Sequence, residues 1–165
     1  MKHTTLCYLE KDGQYLMMHR VKKAQDENKE KWIGIGGKLE PGESPYDCAR
    51  REIYEETGLT VGHLFYRAFI TFVSEAYGTE YMHLFTSRDF DGTLRADCEE
   101  GELCWIDKAR LYELTLWEGD RLFLELLDRE SRFFSLKLCY DADGRLLSHV
   151  LDISSSDPSP SSSCQ

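Results

Sequence analysis

The chain contains no apolar run long enough to cross a bilayer and no basic leader followed by an apolar stretch. Neither a membrane span nor a secretory signal is expected. No CxxC pair occurs among Cys7, Cys48, Cys98, Cys104, Cys139 and Cys164, which argues against a zinc knuckle. Several of these cysteines sit in apolar stretches and read as small core residues in a reducing compartment, with the cytoplasm the simplest location. Positive charge is short as well: 20 Lys and Arg face 30 Asp and Glu, for a formal net charge of −10. Proteins that grip duplex nucleic acid are normally basic, so a nucleic acid polymer is not an expected partner. A small phosphorylated substrate stays open, because bound metal ions invert the charge of a site locally. There is no internal repeat, and His19, His63, His83 and His149 lack metal-ligand spacing and read as structural.

What is present is a globular composition, 41% hydrophobic and 12% aromatic over 165 residues, enough for one domain with a core. Two β-rich runs, 3–9 and 14–20, flank Lys11-Asp12-Gly13, a hairpin signal. Residues 22–31 are highly charged and read as a solvated loop able to close over a ligand. Residues 32–39 are apolar and Gly-rich, a strand followed by a turn. Residues 61–73 and 80–85 read as strands, Asp91-Gly92 as a turn, 102–106 as a short strand and 108–114 as a weak helix. A strong helix is predicted over 120–129, with Leu122, Phe123, Leu126 and Leu127 as its buried face. Residues 133–140 and 145–151 form a hairpin around Asp143-Gly144, and from Ser154 the chain is rich in Ser and Pro. The expected organisation is one α+β domain over 1–153 with mixed strands, and a disordered tail over 154–165.

The run from Gly37 to Leu59 carries the chemistry. Ser44 is a good N-cap, Pro45 suits the first helical position, Asp47 lies in the first turn, and Gly58 is a natural stop. The spacing predicts a helix over 45–57 with Tyr46, Ala49 and Ile53 as its apolar stripe. Glu52, Glu55 and Glu56 stand at i, i+3 and i+4 on one face, with no Lys or Arg four residues after any of them. Like charges at this spacing cost roughly 0.2–0.5 kcal/mol per pair. The helix C-terminus disfavours each anion by roughly 0.3–1 kcal/mol more. A solvated acidic face is the plain alternative, but the charges oppose both local rules, and such conflict marks functional sites. Hard oxygen ligands on a rigid helix suit Mg²⁺ or Mn²⁺.

This run resembles the Nudix box. Gly37, Glu43, Arg51, Glu52, Ile53, Glu55, Glu56, Gly58 and Leu59 fill every specified place of that pattern. The resemblance implies an α/β/α sandwich with a mixed β-sheet, and a metal-dependent pyrophosphohydrolase. It implies Glu52, Glu55 and Glu56 as metal ligands, with a backbone carbonyl of Gly36 or Gly37 added. It also implies that Arg51 and Glu43 pair to brace the loop against the helix. In MutT-like members a Glu before a later aromatic strand completes the metal site or assists the attacking water. Glu100 is the best match here, ahead of Glu99, with a solvated acidic loop as the alternative. Glu56 is the first choice as general base and Glu100 the second.

For the base end, Trp117 and Asp120 resemble the segment that stacks on and hydrogen-bonds a purine in the oxidised-purine hydrolases of the family. Plain core packing for Trp117 and helix N-capping for Asp120 are the competing readings. Two places depart from those hydrolases: Ile33 stands where they carry an Asn, and Gly119 where they carry a second Asp. Thr5 and Arg20 are weaker substrate-binding candidates, Arg20 toward a phosphate; an exposed strand Arg is its plainer reading. The expected substrate is a nucleoside triphosphate, with 8-oxo-dGTP a candidate, cleaved to monophosphate and pyrophosphate. ADP-ribose or a nucleotide sugar is the alternative, and a nucleotide-sensing module without activity is a further one. A monomer or homodimer is expected.

Overall fold

The computed structural model describes residues 1–24, 26–96 and 98–155. Apart from Ser154 and Ser155, the expected tail lies outside the described residues, as does Cys164. In chain order the elements are β1 (Lys2–Lys11), β2 (Gln14–His19), β3 (Trp32–Ile33), α1 (Pro45–Thr57), β4 (Thr60–Val61), β5 (Phe65–Ser74), β6 (Gly78–Ser87), β7 (Phe90–Asp91), β8 (Glu102–Asp107), a 3-10 helix (Lys108–Glu113), α2 (Glu118–Arg129), β9 (Phe134–Tyr140) and β10 (Leu146–Ile153). Strands β1 and β2 make the expected hairpin. Asp12 and Gly13 take φ of 52° and 74°, the left-handed pair that lets a tight turn follow strand twist.

The sheet runs β10-β9-β5-β6-β1-β2-β3, with β8 also paired to β2. Pairs β1/β6 and β5/β9 are parallel and the others antiparallel, so the sheet is mixed. Period-2 alternation sends Leu6, Tyr8, Tyr15 and Met17 to one face, where α2 supplies Phe123, Leu124, Leu126 and Leu127. It sends Cys7, Leu9, Leu16 and Met18 to the other, against Ala49 and Ile53 of α1. Each large side chain so buried contributes about 1.5–3 kcal/mol. The result is an α/β/α sandwich.

Helix α1 forms for the local reasons its sequence suggests. Ser44 Oγ accepts from the Asp47 amide at 3.1 Å, the Asp47 carboxylate accepts from the Ser44 amide at 2.9 Å, and Gly58 closes the helix at φ 80°. Its stripe differs from expectation: Tyr46 is exposed, while Cys48, Glu56 and Thr57 are buried with Ala49 and Ile53.

Other expectations need correction. The strand over 61–73 is broken after Val61, because Asp89 draws the chain away: its carbonyl accepts from the Gly62 amide at 2.8 Å and its carboxylate from the His63 amide at 2.8 Å. Asp91 belongs to the short strand β7, which pairs with β4. Residues 108–113 form a 3-10 rather than an α-helix. Helix α2 begins two residues early, with Trp117 at the N-cap position. Asp120 is therefore its third residue and not its cap. Leu124 joins the buried face, and Leu122 is only partly buried. As expected of several cysteines, Cys7, Cys48 and Cys98 are buried, while Cys104 is exposed. Among the described residues no helix is long and apolar enough to cross a membrane.

Candidate active site

The segment between β3 and α1 runs along the free edge of β1. The Thr5 amide donates to Gly37 O at 2.9 Å, and Cys7 and Ile35 exchange backbone bonds of 2.6 and 2.9 Å. Glycine is required here for space. A Cβ on Gly36 would collide with the Thr5 carbonyl, and one on Gly37 would lie 2.5 Å from the Glu52 carboxylate. The loop is thereby pressed against both β1 and α1. Gly37 O already accepts from Thr5, whereas Gly36 O accepts no hydrogen bond among the described residues.

Arg51 ties this loop to the helix. Its Nε and Nη2 donate to the two Glu43 oxygens at 2.8 and 2.9 Å, Nη2 also to Lys38 O at 3.0 Å, and Nη1 to Glu52 at 2.8 Å and Glu55 at 3.2 Å. The bidentate pair is geometrically specific. Those bonds, with the Glu40 amide, hold the Glu43 carboxyl down at about 2. They raise the Arg51 guanidinium further above its ordinary value.

A cavity of about 490 Å³ opens between this loop, β1, β6 and α2. At one end it is lined by Gly36, Gly37, Glu52, Glu56, Arg20 and Glu100. Glu56 is 8% exposed, and its Oε2 has no hydrogen-bond partner. Burial first, then the Glu52 charge, push its carboxyl up to about 8. Burial also raises Glu52, against the opposing Arg51. Arg20 is not the exposed strand residue of the plainer reading: it follows β2 and lines the cavity, bound to Asp26 at 2.6 Å and Glu100 at 3.2 Å. Glu100 also meets Lys23 at 2.8 Å. Glu99 is exposed and outside the lining. So is Glu55, 56% exposed at the rim, so the three box glutamates divide into two facing the cavity and one beside it. Among the described residues no three acidic, His or Cys side chains already form a cage; Arg51, Arg20 and Lys23 hold several of these oxygens instead.

The other end is apolar with a few polar groups. Trp117 packs edge-on against Phe72 and Tyr140, at 5.3 and 5.2 Å between centroids, and donates Nε1–H to Asn28 Oδ1 at 2.7 Å. It both packs in the core and lines the cavity. Asp120 is 5% exposed and lines the same end. Burial and then the Glu80 charge push its carboxyl up to about 8. Thr5 is buried at the junction, its hydroxyl 3.4 Å from Cys48 Sγ. From the charged segment Glu27 and Asn28 line the cavity, Glu27 meeting Lys2 at 3.0 Å and Asn28 accepting from the Trp117 indole.

Residues the sequence reasoning missed include Phe72, Met82, Glu80, Lys2 and Asn28, all in the lining. The alternation of β5 and β6 signals their face, but not which positions overlook the cavity. Gly119 also acquires a reason. Its amide donates to the Tyr140 hydroxyl at 2.7 Å, and a Cβ there would sit 2.5 Å from Leu138 and 2.6 Å from that hydroxyl. Strand β9 fills the space an acidic side chain would need.

The mixed-sheet sandwich thus brings carboxylates to one end of a cavity and aromatic rings to the other. The chain belongs to the NUDIX domain family, whose model matches residues 2–127. It is similar to the oxidized purine nucleoside triphosphate hydrolase of Danio rerio, at 32% identity over 126 residues, covering 74% of this chain and 78% of that one. It is similar to the CTP pyrophosphohydrolase of Escherichia coli, at 33% over 138 residues, covering 82% and 93%. The crystal structure of a MutT protein from Bacillus halodurans superposes with a TM-score of 0.82 at 26% identity, covering 92% and 98%. Members of this family are enzymes that act on nucleoside diphosphate derivatives, and they generally use divalent cations.

Proposed function

We propose that this chain is a Mg²⁺-dependent diphosphatase that cleaves a nucleoside triphosphate to the monophosphate and pyrophosphate, with 8-oxo-dGTP the first substrate to test. One observation supports it most: a single cavity joins the oxygen-rich end at Glu52, Glu56 and Glu100 to the aromatic end at Trp117, Phe72 and Asp120. Its volume suits a small ligand of nucleotide size.

The residues fit a hard divalent cation. The donors are all oxygen, and the buried Glu56 Oε2 lacks a protein partner. Glu52, Glu55, Glu56, Glu100 and the carbonyl of Gly36 or Gly37 would hold Mg²⁺, or Mn²⁺ in its place. When bound, the cation neutralises phosphate oxygens and makes water more acidic. Glu56 takes the proton of the attacking water as its oxygen adds to phosphorus and the bridging P–O bond breaks. Arg51 and Glu43 position Glu52 and the loop. Arg20, which lines the cavity beside Glu100, would meet a phosphate.

Both named relatives act on nucleoside triphosphates, which supports a triphosphate over ADP-ribose. A panel of nucleoside triphosphates, 8-oxo-dGTP and ADP-ribose, compared by kcat/KM with Mg²⁺, tests the reading. A triphosphate is expected to lead; ADP-ribose in first place would overturn it. Arg51→Lys keeps charge and loses the fork, so its half-saturating Mg²⁺ is expected to rise about 10–100-fold. An unchanged Mg²⁺ titration would remove Arg51 from the site's support.

A further inference from the structure

We propose that Glu80, on β6, is a specificity residue that accepts a hydrogen bond from an exocyclic amino group of the substrate base, opposite Asp120. This rests on the nucleotide reading above and extends it to the class of base.

On the sheet face toward α2, neighbouring strands place side chains in rows. Ala68, Leu84 and Leu6 form one row, Ile70, Met82 and Thr4 the next, and Phe72, Glu80 and Lys2 the last. Phe72, Ile70, Ala68 and Leu84 are buried. Glu80 thus puts a carboxylate where the pattern of this face calls for an apolar residue. Its side chain is 16% exposed, and it lines the cavity with Phe72, Met82, Trp117 and Asp120. A carboxylate in such a place is costly unless paired. Lys2 partly offsets this, with Nζ 2.9 Å from Glu80 and 3.0 Å from Glu27.

Asp120 lies on another wall of the same end, and no described residue hydrogen-bonds its carboxyl. The two carboxyls feel each other: after burial, the Glu80 charge is the next cause keeping Asp120 protonated. Burial raises the Glu80 carboxyl above its ordinary value, and the Lys2 ammonium at 2.9 Å opposes that shift. Paired with the Lys2 ammonium at 2.9 Å, Glu80 offers the cavity end an acceptor, and Asp120, a buried carboxyl pushed up toward its protonated form, both donates and accepts. Its complement is a base edge with an amino group beside a ring nitrogen or carbonyl. Guanine, adenine and cytosine types present such an edge. Bases flanking N3–H with two carbonyls turn an acceptor toward Glu80 and are disfavoured, as unpaired buried polar groups are. Glu80 comes from the sheet, not from α2, and so supplies a second carboxyl where Gly119 has no room for one.

The test compares substrates that differ by one amino group: dGTP with dITP, and dATP with purine deoxyriboside triphosphate. In the wild type the amino-bearing member of at least one pair is expected to have the higher kcat/KM by about 10–100-fold, mainly through KM. Glu80→Met should bring that ratio to within about threefold of unity. Glu80→Gln, which keeps shape and one acceptor, should give an intermediate ratio. A purely structural role for Glu80 would lower both members equally and leave the ratio unchanged, and that result overturns the inference. So do wild-type ratios near unity in both pairs. Calorimetric binding of dGMP against dIMP, and of dAMP against purine deoxyriboside monophosphate, separates this from the activity. If no triphosphate is hydrolysed but binding still shows a Glu80-dependent amino preference, the proposed reaction fails and the base reading stands.

Discussion

Glu56→Gln lowers kcat at least ~10²-fold, the range for loss of a general base. The substitution keeps the volume of a buried side chain and removes its capacity to hold a negative charge and take a proton. Two features of the wild-type group make the effect large. It is desolvated, so its charge is strong when formed, and one oxygen has no protein partner to share it. Steady-state hydrolysis with saturating Mg²⁺ decides the matter. Near-wild-type turnover would remove Glu56 as the base and move attention to Glu100, whose oxygens are divided between Arg20 and Lys23. Glu100→Gln measured alongside ranks the two directly.

The metal-free protein becomes less stable as pH rises from about 5 to about 8. Glu56 and Asp120 sit near 8 in the folded state, against ordinary values of 4.5 and 3.8. Across this interval the folded chain holds protons that the unfolded chain has released. Stability therefore falls with rising pH, by up to about 1.4 kcal/mol per pH unit for each group. Below the ordinary values both states are protonated and the contribution is fully present; above about 8 both are ionised and it is lost. Arg20 opposes the shift of Glu56 and Lys31 that of Asp120, so the measured slope should be smaller than the sum. Urea unfolding with a chelator at pH 5.5, 7 and 8.5 measures it. Asp120→Asn should flatten its share of the slope. Added Mg²⁺ should stabilise more at the upper end, where the carboxylates are free of protons. Stability that is constant or rising over this range would contradict the prediction.

Much of α1 and its loop was legible in advance because the reasons are local. Ser44, Asp47 and Gly58 act on neighbours a few residues away, and the box spacing is a property of one helix. Strand faces were legible from alternation for the same reason. What escaped was set by pieces distant in sequence. Arg20 is half-buried and paired with Asp26 and Glu100, and Glu55 is exposed because α1 turns only one edge toward the cavity. The break at Gly62 depends on Asp89, and the lack of room at Gly119 on Tyr140. The base end draws on β1, β5, β6 and α2 at once, and strand periodicity does not say which strands become neighbours. Glu80 is the clearest instance: in sequence it is one more polar residue after a turn, and only its pairing with Phe72 and Lys2 places it on the cavity floor.

The parallel pairing of β1 with β6 bears on how the molecule is built over time. Lys2 lies opposite Glu80 and Leu9 opposite Ser87, so the centre of the sheet joins segments 78 residues apart. Closing a loop of that length costs about 4 kcal/mol of chain entropy beyond a constant, before the contacts that reward it exist. A hairpin such as β1–β2 forms in microseconds, whereas a topology dominated by distant pairings belongs to the slower folders. On the ribosome β1 must wait until β6 has emerged, its apolar edge held only by its hairpin partner and the glycine loop. Helix α1 is synthesised inside that interval, so Glu52 and Glu56 are in the chain well before the cavity they line.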